Sequence, residues 1–187
     1  MIYNVKKMGG IEIIYTFDGY TPEIGKGTYV SDTAIVIGNV KIGNNCYIGH
    51  GAILRGDYGR IEIGSETAVE EGVIIHVPPD LVGKIGNRVT FGHGTIIHSE
   101  AIGDWAVIGM GAVVSVGAKI GAGSIVAEGA VVKMNQVIPE KVMVAGNPAK
   151  VIREIEDKDI KLWSRGKQLY VDLAGKYLKI GMQRVPE

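Results

Sequence analysis

Histidine is the residue type in this chain best suited to binding a metal or transferring a proton. The chain has four histidines, and His93 and His98 stand five residues apart in the stretch FGHGTIIH. A zinc-binding helix places its paired histidines four residues apart, and a strand places the residues of one face at even spacings. A spacing of five fits neither element. The chemistry of this stretch therefore depends on how the surrounding chain folds.

The surrounding chain carries a six-residue repeat. An aliphatic or aromatic residue returns at every sixth position, with a few interruptions, and a glycine commonly follows it. The series is Val30, Val36, Ile42, Ile48, Leu54, Ile63, Val69, Ile75, Ile85, Phe91, Ile97, Ile102, Ile108, Val114, Ile120, Val126 and Val132. Such hexads predict a parallel β-helix, in which short strands turn at tight corners and successive coils stack. The alternative, a glycine-rich run of short hairpins, requires no such register.

With three hexads per coil, His76 and His98 would lie in one column. Ile75 and Ile97 then lie on the third face of successive coils, and His76 and His98 directly follow them. Neighbouring strands are about 4.8 Å apart, so the roots of these two histidines are expected at that spacing. Arg55 takes the same position one coil earlier. The sequence therefore predicts a column of Arg55, His76 and His98.

His93 belongs to a different column on the second face. The same position one and two coils earlier holds Glu71 and His50. A single chain could not easily bring His93 to His76 and His98. A closed trimer could, because its ring joins one face of a subunit to a different face of the neighbour. We therefore predict a homotrimer with one metal site per interface, to which the neighbouring subunit contributes His93.

Three histidines of this kind are typical of a catalytic zinc site, because the fourth position of the tetrahedron stays open for water. Histidine suits iron and cobalt as well as zinc, so the ligand set alone does not select the metal. The alternative is that these histidines only decorate the surface of the repeat. Arg55 below the pair and the carboxylates beneath His93 favour a metal site.

Composition excludes several other classes of function. The chain has 187 residues and a formal net charge of zero, so no overall field attracts nucleic acid or anionic lipid. No apolar run approaches the roughly 20 residues that span a bilayer, and the first residues lack the apolar core of a signal peptide. Cys46 is the single cysteine, which fits a reducing compartment. We therefore expect a cytoplasmic protein that acts on small molecules.

Several stretches resemble the γ-class carbonic anhydrase family and its carnitine-operon and phenylacetate-operon relatives. The resemblance covers roughly Tyr15 to Ile155 and is carried by FDGYTPEIGKGTYVSDTAIVIGNV, ILRGDYGRIEIG, EEGVIIH, IGNRVTFGHGTIIH, IGMGAVV and VAGNPAKVIREI. It implies an all-β fold, a left-handed parallel β-helix built as a three-sided prism. Hexads alone are shared with many acyltransferases. The RGD stretch followed by three histidines in this order is the specific part of the resemblance.

The family resemblance also implies roles for individual residues. Its three metal-binding histidines, which lie across a trimer interface, fall on His76, His93 and His98. The metal implied is Zn2+, with Fe2+ or Co2+ in some members. The arginine and aspartate that lie beside the metal fall on Arg55 and Asp57.

One departure from the family pattern lies just before the first metal-binding histidine. The family typically carries Gln-Asp there, and this chain carries Glu70 and Glu71. Glu71 can still pair with Arg55 across the interface, but an ionised Glu70 offers no hydrogen-bond donor. The long acidic loop that carries a proton-shuttle glutamate in the archetype is missing from the sequence as well. We therefore expect weak CO2 hydration at a retained metal site.

The chain divides into three predicted segments. Residues 1–25 are expected to form a cap of short strands with a turn at Asp18 and Gly19, and 26–152 to form the prism. Residues 153–187 are expected to form a helical tail. Asp159 can cap that helix. The apolar positions predicted to pack on the prism or on a neighbour are Ile160, Trp163, Leu169, Leu173, Tyr177 and Leu178.

The resulting functional prediction is a homotrimeric metalloenzyme of the γ-carbonic anhydrase type. The metal lowers the pKa of bound water to about 7, and the resulting hydroxide attacks CO2 or the thioester of an acyl-CoA. Arg55 would position the anion, Asp57 and Glu71 would hold Arg55, and Glu70 would contact the bound water. Tyr170, in the tail, is a further candidate for the metal pocket.

Two other functions stay open at this point. One is a non-catalytic accessory protein of the carnitine-operon type. The other is a CoA-dependent acyltransferase, which would need a general base away from the metal. His50 is the remaining histidine for that role, and its place below His93 makes it a poor candidate.

Overall fold

The computed structural model describes residues 14–183 and 185. Short strands follow one another along the chain, and a single long helix follows the last of them in this part of the protein. The elements are β1 (Ile14–Tyr15), β2 (Glu23–Ile24), β3 (Tyr29–Val30), β4 (Ile35–Ile42), β5 (Tyr47–Ile48), β6 (Ile53–Ile63), β7 (Ala68–Val69), β8 (Ile74–His76), β9 (Val82–Ile85), β10 (Thr90–Phe91), β11 (Ile96–Ile97), β12 (Ala101–Ile102), β13 (Val107–Ile108), β14 (Val113–Val114), β15 (Lys119–Ile120), β16 (Ile125–Val126), β17 (Val131–Val132), β18 (Val137–Ile138), β19 (Val142–Ala145), β20 (Lys150–Glu154) and α1 (Asp157–Ile180).

These strands form a parallel β-helix of about seven turns, which confirms the predicted left-handed, three-sided prism. The second face is one sheet in the order β3-β5-β7-β10-β13-β16-β19, in which each strand pairs with the strand one coil away. The first and third faces are joined into one sheet because β4 and β6 continue around a corner. Val69 pairs with Phe91 and Ile75 with Ile97, which is the register predicted from the hexads.

The interior of the prism is filled by the inward-facing residues of the hexads. Side chains such as Ile48, Leu54 and Phe91 have no exposed surface. Small residues occupy the corners, where Ala34 and Ala52 are also fully buried. Burying an aliphatic side chain of this size contributes roughly 1.5–3 kcal/mol, so the stacked interior stabilises the prism independently of any surface site.

The outward-facing residues give each face a different chemistry. Glutamate and lysine alternate over the first four strands of the first face, where Lys41 lies 3.6 Å from Glu23, and further along Lys119 lies 2.7 Å from Glu100 at the adjoining corner. The outward residues of the second face are buried from β3 to β16, and α1 lies across the first three strands of this face, β3, β5 and β7. The third face is apolar and at least partly exposed in the described part of the chain: its outward residues are Ile35, Ile53, Ile74, Ile96, Val113 and Val131.

Helix α1 packs on the second face across β3, β5 and β7. A lysine anchors it: the buried Lys167 Nζ donates to Thr90 Oγ1 at 3.1 Å and to the Ala106 carbonyl at 3.0 Å. Burial and, to a smaller extent, the nearby Arg88 lower the pKa of Lys167 to about 7. Among the described residues, no helix is long and apolar enough to cross a membrane.

The tail helix differs in two ways from the sequence prediction. Asp159 is not its first residue or its N-cap: α1 begins at Asp157, and Asp159 reaches back to the Glu156 backbone N–H at 2.9 Å while it binds Arg153 through both carboxylate oxygens. The predicted apolar stripe also splits. Trp163 and Tyr177 are partly buried, whereas Ile160, Leu169 and Leu178 are exposed. The docked face consists of Tyr170, Leu173, Ala174 and Tyr177, which pack against Tyr29 and Tyr47, together with the hydrogen-bonded Lys167.

The predicted N-terminal cap lies partly outside the described residues, which begin at Ile14. The turn at Asp18 and Gly19 is present, and Phe17 and Tyr20 exchange two backbone hydrogen bonds of 3.0 and 2.9 Å across it. β1 does not form a hairpin with β2. Both strands instead pair in parallel with β4 and so extend the third and first faces of the prism.

Candidate metal centre

Arg55, His76 and His98 lie in one column on the third face. Arg55 pairs with His76 in the register of β6 and β8, and the rings of His76 and His98 are 4.9 Å apart between centroids. Each follows an inward-facing aliphatic, so the hexad repeat directs all three side chains to the same outer surface. This is the arrangement expected from the sequence.

Asp57 links the arginine to the first histidine. Its Oδ2 accepts a hydrogen bond from Arg55 Nη1 at 3.0 Å, and its Oδ1 lies 3.3 Å from His76 Nε2. Despite that distance, His76 Nε2 and Asp57 Oδ1 are buried without a hydrogen-bond partner, because the contact lacks hydrogen-bonding geometry. A buried polar atom without a partner costs about 1–3 kcal/mol. Coordination of a metal ion by His76 Nε2 would remove this cost.

The electrostatics of the pair also fit metal binding. Burial lowers the pKa of His76 and of His98, and the charge of Arg55 lowers both further. Each ring is therefore held in its neutral form, which has the lone pair that a metal needs. Two adjacent neutral imidazoles at an interplanar angle of 64°, one with an unpaired nitrogen, suit Zn2+, Fe2+ or Co2+.

His93 lies at the corner between the second and third faces, in the column predicted for it. Backbone hydrogen bonds join successive coils at this corner: Gly94 N–H donates to the Glu71 carbonyl at 2.9 Å, and Gly72 N–H donates to the His50 carbonyl at 3.0 Å. Within the described part of one chain, no three histidine, cysteine or acidic residues come together as a metal site. His93 and the His76–His98 pair thus stay on separate surfaces of the monomer.

Two glutamates flank the His93 ring. Glu71 Oε2 lies 2.7 Å from Nδ1, and Glu70 Oε2 lies 3.2 Å from Nε2. Glu70 is buried, and burial raises the pKa of its carboxyl, whereas His93 and the Tyr170 hydroxyl oppose this shift. Tyr170, on α1, therefore contacts the Glu70 carboxylate within the same chain and does not lie at the His76–His98 column.

Tyr47 was not among the residues singled out from the sequence. Its buried hydroxyl donates to Glu71 Oε1 at 2.7 Å. Burial acts to raise the pKa of Glu71, but the Tyr47 hydroxyl, a backbone N–H and the nearby His93 and His50 together outweigh it, so the pKa of this carboxyl is lowered and it stays ionised. The signal that could have identified Tyr47 is its register. It precedes Ile48 and so faces outward on the second face, one coil below the Glu71 corner.

Comparison with known proteins gives a consistent class. The family model described as "Bacterial transferase hexapeptide (six repeats)" matches residues 21–56. A hexapeptide transferase family protein from Anaplasma phagocytophilum has a similar structure, with a TM-score of 0.84 and 30% identity over 89% of this chain and 98% of that one. Its fold and its surface histidines therefore place the chain among the hexapeptide-repeat proteins that form a stacked prism.

Three curated relatives make the family more specific. Gamma carbonic anhydrase 2, mitochondrial, from Arabidopsis thaliana is 37% identical over 82% of this chain, and the match spans 58% of the plant protein. The carnitine operon protein CaiE from Proteus sp. is 37% identical over 81% of this chain and 77% of its own length. Carbonic anhydrase from Geobacillus kaustophilus is 33% identical over 92% of this chain and 94% of its own. The chain belongs to the hexapeptide-repeat family of γ carbonic anhydrases and CaiE proteins.

Proposed function

We propose that this chain is a homotrimeric, metal-dependent enzyme of the γ-carbonic anhydrase type that catalyses the reversible hydration of CO2. The observation that carries the proposal is the adjacent His76–His98 pair, with the unpaired Nε2 of His76, on the apolar third face. His76 and His98 of one subunit and His93 of the next would hold Zn2+, or Fe2+ or Co2+ in its place. When bound, such an ion supplies the charge that lowers the pKa of water from 15.7 to about 7.

The remaining residues of the site bind and orient the reactants. The Arg55 guanidinium is held by Asp57 and would bind the negatively charged bicarbonate. Glu70, buried at the Nε2 edge of His93, would contact the attacking water. Pairing of Glu71 with Arg55 across the interface stays a prediction. Inside one chain, the two oxygens of Glu71 lie against Tyr47 and His93.

The chemistry of the three faces supports a trimer formed through the third face. Ile74 and Ile96 are 37% and 41% exposed there, and each lies two residues before a histidine of the predicted site. A contiguous apolar surface beside functional residues is typical of an interface. The first face is charged and the second is covered by α1, so the third face is the one that a neighbouring subunit would cover.

Placing a charge on the third face should separate the subunits. We expect Ile96→Glu to convert the trimer to monomers in sedimentation velocity, because three glutamates would be buried without partners in each trimer. Val137→Glu is the matched control, since Val137 is an exposed aliphatic at the outward position of a first-face strand. A wild-type protein that sediments as a monomer at micromolar concentration with metal bound would contradict the shared site.

A second candidate function is hydrolysis of an acyl-CoA thioester, with the same metal site. The buried Glu70 favours it, because a carboxylate beside the site can act as a general base where the usual glutamine cannot. Acyl transfer with His50 as the base is disfavoured. His50 Nδ1 lies 2.5 Å from Ser31 Oγ and Nε2 lies 3.4 Å from the Tyr177 hydroxyl, so both ring nitrogens are engaged beneath α1.

The two functions are distinguished on the same preparation. The protein is purified anaerobically and its metal content is measured, and CO2 hydration by stopped flow is then compared with a panel of acyl-CoA thioesters. We expect about one metal ion per chain, the ratio that three interfaces in a trimer give. Hydration activity that rises with metal content would support the proposal. Metal-dependent thioester hydrolysis without hydration would support the second candidate.

A further inference from the structure

The Glu71 carboxylate bridges a buried tyrosine and the proposed metal ligand of the corner. The Tyr47 hydroxyl donates to Oε1 at 2.7 Å, and Oε2 lies 2.7 Å from His93 Nδ1. The two oxygens of the Glu71 carboxylate thus connect the buried Tyr47 on the second face to the His93 imidazole at the edge of that face. His93 is 49% exposed, compared with 13% for His76, so it has much less packing to fix its ring.

Tyr47 is well placed to hold this carboxylate in one position. Its ring lies among aromatic neighbours, with centroid distances of 5.7 Å to Tyr29, 5.2 Å to Tyr170 and 6.1 Å to Tyr177. Glu71 itself lies against the backbone of Gly49. A Cβ on Gly49 would come within 2.8 Å of Glu71 Oε1. The carboxylate oxygen therefore occupies the space that a side chain at Gly49 would need, and the Tyr47 hydroxyl holds it there.

Ligand histidines generally need such an outer partner. A carboxylate at one ring nitrogen fixes the orientation and tautomer of the imidazole and leaves the other nitrogen to the metal. For His93 the nitrogen that remains is Nε2, on the side of Glu70. A fixed ring orientation is most important for His93, because His93 would have to bind the same metal ion as a histidine pair on another subunit.

We propose that Tyr47 is a positioning residue of the metal centre, whose hydroxyl fixes Glu71 so that Glu71 in turn orients His93 towards the neighbouring subunit. The inference rests on the proposed metal site. Tyr47 touches neither substrate nor metal. Its effect should therefore appear first in metal affinity.

The test compares Tyr47→Phe with Tyr29→Phe in the metal-free trimer. The two tyrosines pair in register in β3 and β5 and share the aromatic cluster, but the hydrogen bond to Glu71 comes from Tyr47 and not from Tyr29. Co2+ is titrated in competition with a chelator and followed by its visible absorption spectrum, and the melting temperature of each metal-free variant is recorded.

We expect Glu71→Gln to weaken Co2+ binding by about 10- to 100-fold, the range for outer partners of metal ligands, and Tyr47→Phe by about tenfold. Tyr29→Phe should bind Co2+ as the wild type does, and the two phenylalanine variants should melt at similar temperatures. Wild-type Co2+ affinity and spectrum in Tyr47→Phe would overturn the inference while leaving the metal site in place. A wild-type protein that binds no Co2+, or whose Co2+ binding survives His93→Ala, would overturn both.

Discussion

Mixed trimers built from two metal-free variants should regain metal. We expect His93→Ala chains alone, and His76→Ala/His98→Ala chains alone, to lose stoichiometric metal, because each lacks part of the ligand set at every interface. In a mixed trimer, one interface joins an intact His76–His98 pair to an intact His93. A closed ring of two kinds of chain has a single boundary of that orientation, so we expect about one metal ion per mixed trimer and about three in the wild type.

The measurement uses two affinity tags, one on each variant, and recovers trimers that carry both tags after co-expression. Metal is then counted per trimer. Both variants should remain folded, because the hexad interior is separate from the site and the histidines lie on its surface. Mixed trimers without metal would mean that all three ligands come from one chain. Full metal in either variant alone would mean that the ligands are other residues.

Replacing Glu70 with glutamine should raise CO2 hydration. The amide has nearly the same shape as the carboxylate, can donate a hydrogen bond, and removes a negative charge next to the bicarbonate product. Each tenfold gain in rate corresponds to about 1.4 kcal/mol of activation free energy. The assay is best run at alkaline pH, because burial raises the pKa of Glu70 and the comparison requires an ionised carboxylate in the wild type.

A matched change separates this effect from the loss of a charge in general. Glu128→Gln makes the same substitution at an exposed position of the same corner, three coils from Glu71. It should leave hydration unchanged. If Glu70 is instead a general base for thioesters, Glu70→Gln will lower thioester hydrolysis while hydration stays weak. No change in either activity would exclude Glu70 from the reaction.

The hexad repeat was sufficient to predict the prism and the columns of the candidate site. It fixes which residues point inward and which residues stack, so the positions of Arg55, His76 and His98 follow from counting. It also places His93 above Glu71. Which residues share a column depends only on the register of neighbouring coils, and the spacing of the aliphatic residues determines that register.

The repeat could not predict the contacts that involve α1. The helix docks through Lys167 and Tyr170, whereas its most exposed leucines had suggested a different face. The hexads carry no information about how a helix lies across the outer surface of a sheet. For the same reason the Tyr47–Glu71 hydrogen bond was missed, since it joins outward side chains of different coils whose rotamers the repeat leaves open.

Every coil of the prism is hydrogen-bonded only to the coil above it and the coil below it. Such a stack behaves as a one-dimensional chain of units, in which cooperativity passes between nearest neighbours and unfolding can begin at either end. The column of Arg55, His76 and His98 lies on coils that have further coils on both sides. A metal ion shared there would therefore cross-link two subunits at internal coils, and the three ions of a trimer would join all three subunits. Fraying from the ends could then proceed without loss of the site, and additional coils could be gained or lost beyond β14 without moving a ligand.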